Sequence, residues 1–307
     1  MKRFKEVIIE LSKNCNLNCI MCGYGAKFNN PKKFMEYSLF DNILKEIGDN
    51  AEVLRLNGRG ESTIHPEFIK CLCHARTLNP NGRIRLFSNM NYNNDDITKA
   101  LADCLCETMI SFDSANKKNL ESIRVGTHYE TVIKNIEKIC SNSKLTAIMF
   151  TLQPKNLFEL YDVAKFAFEH RCHFFCNAVR NIEMDNEFAR LVNANIDYLK
   201  KSFLEINKLF EKSNLTVHLP SQVSGVTLSL SVSQPTCADL SCCPNAGKDI
   251  CIYYDGTVTP CGMFNPYVLG DIDKQSLSEI VNSLQFADFI KNQPQDPYCK
   301  NCQYICN

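Results

Sequence analysis

Three cysteines stand close together near the start of the chain. Cys15, Cys19 and Cys22 have the spacing C-x3-C-x2-C and follow a short apolar segment, residues 7–11. Three thiolates leave one position of the four-cysteine shell of an iron–sulfur cubane open, so that one iron could bind a small-molecule ligand. A structural zinc site would fill all four positions with Cys or His, and no histidine lies near these cysteines. The spacing therefore predicts an active site built on an iron–sulfur cluster with one open iron.

A second group of cysteines lies at the end of the chain, where residues 236–307 contain eight of the 18 cysteines. A region this small buries little core and needs a metal to stabilise it. The pair Cys299 and Cys302, together with two more distant cysteines, suits either a fully ligated Fe4S4 cluster or a tetrahedral zinc ion. The eight cysteines are Cys237, Cys242, Cys243, Cys251, Cys261, Cys299, Cys302 and Cys306.

The composition is that of a globular enzyme. The chain has 307 residues, of which 45% are hydrophobic, and it balances 34 basic against 34 acidic residues. Balanced charge argues against nucleic acid as a partner. No apolar run is long enough to span a membrane and no export signal opens the sequence, so we expect a cytoplasmic protein without disulfides. We predict simple core packing for the cysteines between the two groups, which are Cys71, Cys73, Cys104, Cys106, Cys140, Cys172 and Cys176.

Strand and helix patterns alternate along the first part of the chain. Such alternation predicts βαβ units and a parallel sheet. We therefore predict an α/β fold, a partial (β/α)6 TIM-like barrel whose ligands lie at the carboxyl ends of the strands. The predicted strands are residues 7–11, 53–56, 84–87, 108–112, 145–152 and 173–177, and the predicted helices are residues 38–47, 66–75, 95–102, 129–140 and 157–169.

The alternation stops near Arg180. A helix is predicted over residues 196–210, and a Ser-rich segment ends at Pro235. After Pro235, the sequence predicts a hairpin, with its turn at Asp255-Gly256, and a helix over residues 277–284. We divide the chain into a barrel (1–192), a helical segment and linker (193–235) and a small cysteine-rich cluster-binding domain (236–307).

The cysteine spacing and this order of elements resemble those of the radical S-adenosylmethionine (radical SAM) superfamily. Asn57-Gly-Arg-Gly60-Glu61 follows the second strand and is similar to the family's Gly-Gly-Glu element, which contacts the amino group of SAM. Gly60 permits close backbone approach, and Glu61 can accept hydrogen bonds from an ammonium. Arg59 replaces the first Gly of the family's element, and Ser62 replaces the Pro that commonly follows it.

Polar residues end the third and fourth predicted strands. Ser88-Asn89 resembles the family's Thr-Asn-Gly, and Ser111-Phe-Asp113 resembles its Ser-Leu-Asp. The resemblance implies that these short side chains bond the ribose hydroxyls of SAM, which need donors and acceptors.

Two further positions complete the SAM site that the resemblance implies. Arg124 matches a position that can pair with the carboxylate of SAM. The residue before the third cysteine is usually aromatic in the family and packs near the adenine. Here it is Met21, and Tyr24 is the candidate replacement.

The C-terminal cysteines resemble the auxiliary-cluster extension called SPASM in its long form and Twitch in its short form. The segment KDICIYYDGTVTPCGMF, residues 248–264, carries most of this resemblance. Only three residues separate Cys302 from Cys306, which fits the short form. The resemblance therefore implies one auxiliary [4Fe–4S] cluster held by Cys243, Cys261, Cys299 and Cys302, with Cys237 and Cys306 as substitutes.

The resemblance also implies an activity. The reduced cluster would cleave SAM to methionine and a 5′-deoxyadenosyl radical, which abstracts hydrogen from a substrate, and a reducing partner such as flavodoxin or ferredoxin would supply the electron. We expect oxidation of a small molecule with the auxiliary cluster as electron acceptor, because the barrel begins too early for a peptide-recognition module before it. Modification of a peptide or protein is the alternative. A non-catalytic zinc or iron–sulfur redox sensor is the alternative of another class.

Three residues are predicted to face the substrate because they follow the fifth and sixth strands. They are Gln153, Asn177 and Arg180. Arg180 is the candidate to assist proton loss or to bind an anion, and a surface salt bridge is the alternative for it.

Overall fold

Parallel strands joined by helices form most of the fold. The computed structural model describes residues 3–25, 31, 33–143, 145–179, 182–228, 243–262 and 267–300. The strands are β1 (Phe4–Ile9), β2 (Asn18–Cys19), β3 (Ala51–Arg55), β4 (Arg83–Ser88), β5 (Cys106–Ser111), β6 (Arg124–Val125), β7 (Thr146–Leu152), β8 (His173–Ala178), β9 (Val217–His218), β10 (Gln222–Val223), β11 (Val226–Thr227), β12 (Asp249–Ile252), β13 (Thr257–Thr259) and β14 (Gly270–Asp271). The helices are α1 (Tyr37–Ile47), α2 (Phe68–Leu78), α3 (Asp95–Asp103), α4 (Lys117–Ile123), α5 (Tyr129–Asn142), α6 (Leu160–Glu169), α7 (Ile182–Ala194), α8 (Ile196–Phe210), α9 (Leu277–Val281), α10 (Leu284–Asn292) and α11 (Pro297–Lys300).

One large sheet contains strands from both ends of the chain. Its order is β14-β13-β12-β1-β3-β4-β5-β7-β8-β9, and the neighbours from β12 to β9 are parallel. The C-terminal hairpin, β12 and β13, thus extends the barrel sheet beside β1. The α/β barrel prediction is confirmed, and the sheet continues beyond the six predicted strands because β12 and β9 pair with its two edges.

Alternation along the strands separates the two faces of the sheet. In β5 the side chains of Cys106, Thr108 and Ile110 are buried, whereas those of Glu107 and Met109 are half-buried. The buried face packs against the amphipathic helices, and α1 buries residues at the i, i+4 spacing that such packing requires. The half-buried face lines the interior of the barrel.

The C-terminal helix ends earlier than its pattern predicts. Helix α9 ends at Val281, and α10 begins at Leu284. Ser283 separates them because its side chain caps α10 by accepting from the amide of Phe286 at 3.2 Å. An apolar pattern of this kind does not distinguish one helix from two joined by a cap.

Core packing holds for most of the central cysteines but not for all. Cys71, Cys104, Cys106, Cys172 and Cys176 are buried. The prediction was wrong for Cys73, which lies on the exposed side of α2, and Cys140 is half-buried.

The described part of the chain has no helix long and apolar enough to cross a membrane.

Helix α7 includes residue 192, where the barrel was predicted to end. The predicted division of the chain at residues 192 and 235 stays a prediction.

Candidate active site

The cysteine loop follows β1, and hydrogen bonds attach the middle of this loop to the barrel. Strand β2 pairs with β6 so that Cys19 lies opposite Arg124. The amide of Ile20 also donates to the carbonyl oxygen of Ile123 at 2.9 Å. These bonds hold the loop against the last residue of α4 and against β6, which follows it.

Backbone amides approach two of the three sulfur atoms. The amide of Leu17 lies 3.4 Å from Sγ of Cys15, and that of Tyr24 lies 3.3 Å from Sγ of Cys22. All three thiols are half-buried. Amides aimed at sulfur suit thiolates that ligate a cluster, since such hydrogen bonds tune the cluster.

The thiols are not arranged for a single ion. Among the described residues, no three His, Cys, Asp or Glu side chains form a group that could hold one metal ion. Burial raises the pKa of the Cys15 thiol to about 12, and the charge of Glu61 adds to this effect. Burial also raises the pKa of Cys19, although Arg124 opposes it. A bound metal would therefore displace protons from these thiols.

Gly60 and Glu61 pack directly on the cysteine loop. A Cβ at Gly60 would lie 2.2 Å from the carbonyl oxygen of Asn14, so no larger residue fits without a shift of backbone. The amide of Glu61 donates to the same carbonyl at 2.7 Å. This close packing therefore requires glycine at position 60, where its loop meets the cysteine loop.

The carboxylate of Glu61 joins this loop to the end of β4. Its Oε1 accepts from the hydroxyl of Thr63 at 2.8 Å and that of Ser88 at 3.0 Å, and its Oε2 accepts from the amide of Asn89 at 2.8 Å. Burial raises the pKa of Glu61, and these hydrogen bonds oppose the rise. The predicted SAM residues Glu61, Ser88 and Asn89 are thus brought together.

Asn89 continues this network to the cysteine loop. Its Nδ2 donates to Oδ1 of Asn16 at 2.8 Å and lies 3.9 Å from Sγ of Cys15. Asn16 in turn donates to the carbonyl oxygen of Asn91 at 2.8 Å. A chain of amides therefore runs from the end of β4 to the first cysteine.

Asp113 and Arg124 form a buried ion pair beside Cys19. Nη2 of Arg124 lies 2.7 Å from Oδ2 of Asp113, and Nη1 lies 3.9 Å from Sγ of Cys19. The amide of Thr151 donates to Oδ1 of Asp113 at 2.7 Å. Burial raises the pKa of Asp113, and Arg124 opposes the rise. The resemblance implied separate SAM contacts for these two residues, and the structure adds their contact with each other.

The guanidinium of Arg124 also indicates what kind of ligand could bind beside this ion pair. Nε of Arg124 is buried and has no hydrogen-bond partner among the described residues. A buried guanidinium donor left unpaired is costly, so a ligand with an acceptor group such as a carboxylate would fit beside it. The cysteine donors, the close approach at Gly60 and this donor together fit a [4Fe–4S] cluster with bound SAM.

The other predicted residues differ in their exposure. Tyr24 is 36% exposed, and Ser111 is half-buried at the end of β5. Gln153 is fully buried, and its side-chain Nε2 donates to the carbonyl oxygen of Thr151 at 3.4 Å. Asn177 is exposed near the end of β8. Arg180 lies outside the described residues.

The barrel interior has an apolar band. Phe87, Met109, Met149 and Phe175 are half-buried, whereas their sequence neighbours in β4, β5, β7 and β8 are buried in the core. Phe87 is in register with Met109, and Met149 is in register with Phe175. The band therefore crosses four strands on the face that turns away from the helices.

Paired charges lie nearer the amino ends of the strands. Nη1 of Arg85 lies 3.1 Å from Glu6, and Nη2 lies 2.9 Å from Glu107. Arg55 approaches Glu6 at 3.7 Å and stacks over the ring of Phe87 at 4.6 Å. These groups neutralise one another below the apolar band.

Three of the four predicted auxiliary ligands lie in the described part of the chain. Cys243 and Cys261 are half-buried, and Cys299 is buried. Burial raises the pKa of Cys299 to about 12, and Cys261 is close enough to contribute to the rise. Cys302, Cys237 and Cys306 lie outside the described residues.

Sequence reasoning missed two groups of residues. Glu10 binds Arg59 next to Tyr253, and Gln293 contacts Cys243. The one available signal was a carboxylate, Glu10, directly after an apolar strand. Its partners are remote in sequence, so spacing could not identify them.

Comparisons with protein families cover both ends of the chain. A family model described as the radical SAM superfamily matches residues 9–167. A second model, SPASM, described as an iron–sulfur cluster-binding domain, matches residues 242–303.

Individual relatives are distant in sequence. The chain is 21% identical to a tungsten-containing aldehyde ferredoxin oxidoreductase cofactor-modifying protein of Pyrococcus furiosus, over 97% of this chain and 87% of that protein. Streptococcus suis SuiB, solved with its precursor peptide SuiA, superposes with a TM-score of 0.69 at 15% identity, covering 99% of this chain and 71% of SuiB. BtrN, solved with AdoMet and 2-DOIA, superposes with a TM-score of 0.53 at 14% identity, covering 98% of this chain and 94% of BtrN. The solved structures support the fold.

Proposed function

Because this chain belongs to the radical SAM superfamily and carries a SPASM domain, we propose that it oxidises a small molecule by hydrogen-atom abstraction, with an auxiliary cluster as the electron acceptor. The family is enzymatic and binds a [4Fe–4S] cluster and SAM, and the SPASM domain binds auxiliary iron–sulfur clusters. When bound, the cluster and SAM supply a 5′-deoxyadenosyl radical. The protein's residues hold these groups and the substrate.

The proposed ligands follow from the site geometry and the family motif. Cys15, Cys19 and Cys22 would hold the first cluster. Arg124 would offer its buried Nε to the carboxylate of SAM. The loop at Gly60 and the strand ends would surround the rest of SAM, through Glu61, Ser88, Asn89, Ser111 and Asp113, with Tyr24 near the adenine.

The observation that carries the oxidation proposal is the contact between the C-terminal hairpin and the barrel. Strand β12 pairs with β1, the strand that leads to Cys15. A Cβ at Gly262 would lie 2.0 Å from Cδ1 of Ile8, so the turn that follows Cys261 packs directly on β1. An oxidation needs an acceptor for the second electron, and this packing would keep an auxiliary cluster near the barrel. The proposed ligands of that one cluster are Cys243, Cys261, Cys299 and Cys302.

The barrel interior suits radical chemistry on an uncharged group. Met109, Met149 and Phe175 offer no acidic proton near the site, and the charges below them are already paired. Abstraction depends on holding a C–H bond close to the radical and excluding water. We propose that Gln153 and Asn177 flank the substrate at the strand ends, and that Arg180 binds an anionic part of it or assists proton loss.

The test is anaerobic reconstitution followed by an assay for 5′-deoxyadenosine with SAM and a reductant, either dithionite or a flavodoxin or ferredoxin system. Adding the low-mass ultrafiltrate of an anaerobic cell extract should increase deoxyadenosine formation. Stimulation by the retained peptide and protein fraction alone would instead favour peptide modification, as the precursor-peptide complex of SuiB illustrates. Absence of deoxyadenosine from enzyme with full iron would refute the enzymatic proposal and favour a redox sensor.

A further inference from the structure

A half-buried arginine, Arg59, attaches the loop of Gly60 and Glu61 to the end of β1. Nε and Nη2 of Arg59 donate to the two carboxylate oxygens of Glu10 at 2.8 and 2.6 Å, and the backbone amide of Arg59 donates to the same carboxylate at 2.8 Å. Glu10 is fully buried. Paired hydrogen bonds of this kind fix both the position and the plane of a guanidinium.

The C-terminal hairpin supplies the other contact of this arginine. Cζ of Arg59 lies 4.1 Å from the ring centroid of Tyr253, which follows β12 and is 8% exposed. A cation so close to a desolvated ring gains a cation–π interaction. Burial alone would lower the pKa of Arg59, but Glu10 raises it overall, so the guanidinium stays charged.

The backbone on either side of Arg59 has little room to move. A Cβ at Gly58 would lie 2.5 Å from Oε2 of Glu10, and a Cβ at Gly60 would lie 2.2 Å from the carbonyl oxygen of Asn14. Glu61 follows immediately and binds the end of β4. A displacement of Arg59 would therefore move Glu61.

We propose that Arg59 is a positioning residue through which the C-terminal hairpin holds the loop of Gly60 and Glu61 (the SAM loop), and that the ring of Tyr253 thereby sets the affinity for SAM. This inference rests on the proposed role of Gly60 and Glu61 in binding SAM. The side chain of Arg59 stands where the family's Gly-Gly-Glu element has glycine, and glycine has no side chain that could form the bridge from Glu10 to Tyr253.

The experiment compares neighbouring tyrosines of the hairpin in reconstituted holoenzyme. Tyr253→Leu removes the ring while leaving Glu10 paired with Arg59. Tyr254→Leu is the matched control, because Tyr254 also lies near a cation, Nζ of Lys33 at 5.6 Å, but that cation is outside the SAM loop. The Kd for SAM is measured by anaerobic calorimetry and by the SAM-induced change in the electron paramagnetic resonance signal of the reduced cluster.

Tyr253→Leu should weaken SAM binding about 5- to 30-fold at unchanged iron content. Tyr254→Leu and the ring-preserving Tyr253→Phe should bind SAM within about twofold of the parent. Unchanged affinity in Tyr253→Leu, or equal losses in Tyr253→Leu and Tyr254→Leu, would overturn the bridge. An equal loss in Tyr253→Phe would also overturn it, since the hydroxyl rather than the ring would then be responsible.

Two further variants keep the outcome decisive. If Tyr253→Leu does not retain iron, SAM binding is measured in Arg59→Lys instead. Lysine keeps the positive charge but lacks the planar fork of arginine, so unchanged SAM affinity in Arg59→Lys would refute the bridge. Glu61→Gln separates the two proposals. Weakened SAM binding in Glu61→Gln but not in Tyr253→Leu removes only the bridge, whereas normal SAM binding in Glu61→Gln removes the loop assignment and the bridge with it.

Discussion

Gln293 accepts a hydrogen bond from the backbone amide of Cys243 at 2.9 Å, across 50 residues of sequence. Gln293 is 2% exposed, and its side chain lies close enough to Cys299 to lower the pKa of that thiol, against the larger rise that burial causes. One buried amide therefore contacts both of these proposed ligands of the auxiliary cluster.

Gln293→Ala should release the auxiliary cluster, because Cys243 and Cys299 lose their common partner. Total iron should fall from about eight per chain, the sum of two Fe4S4 clusters, to about four. Metal analysis of reconstituted protein measures this, and Gln295→Ala, an exposed position in the same turn, should keep about eight irons. Full iron in Gln293→Ala would show that the amide is dispensable, and about twelve irons in the parent would mean three clusters.

Replacing Cys15, Cys19 and Cys22 together by Ala should abolish 5′-deoxyadenosine formation. The C-terminal metal should remain, because the two proposed sites share no ligand. Cys73→Ala, at an exposed cysteine of α2, should leave deoxyadenosine formation unchanged. Loss of all iron from the triple variant would contradict the independence of the two sites.

Asp113→Leu should lower the free energy of unfolding by about 3–5 kcal/mol, because it leaves the buried guanidinium of Arg124 unpaired. The double variant Asp113→Leu/Arg124→Met should recover much of this stability, yet it should not cleave SAM. Anaerobic urea unfolding measures the stability.

Glu130→Ala is the matched control for this ion pair. It removes the partner of Lys117 in an exposed pair and should lower the free energy of unfolding far less than Asp113→Leu does, because water already solvates both charges. A double variant no more stable than Asp113→Leu would mean that the loss comes from packing rather than from an unpaired charge.

Stability should depend on pH through Asp249. Burial, with a contribution from the charge of Glu6, raises the pKa of this carboxyl to about 6, above the value of about 3.9 in an unfolded chain. The folded state therefore binds this proton more tightly than the unfolded chain does. The stabilisation that results is present below about pH 4 and is lost as the pH rises through about 6.

Asp249→Asn removes that dependence. Relative to the parent, its advantage in Tm should grow between pH 5 and pH 8 and correspond to about 1–2 kcal/mol at the upper end, after allowance for partial screening. Asp288→Asn, at an exposed position, should show no such trend. A constant difference across this range would remove Asp249 as the source.

Local patterns in the sequence predicted many of the elements closely. The helix predicted over residues 196–210 is α8, Ile196–Phe210, because its apolar period is set by contacts only three or four residues apart. The spacing of Cys15, Cys19 and Cys22 is likewise local, because all three lie in the short loop after β1.

Tertiary structure decided what those elements contact. Strand β12 joins β1 across some 240 residues of sequence, and only that pairing brings Tyr253 to Arg59 and the turn of Cys261 to Ile8. The pairing of Asp113 with Arg124 depends in the same way on how the segment after α4 meets the end of β5. Such contacts leave no periodic trace in the sequence, because a buried charge is stabilised by whichever partner the fold places within reach rather than by one at a fixed spacing. The sequence by itself therefore determined the chemistry of the cysteine loop, and the packing of the two ends of the chain into one sheet determined which residues hold it in place.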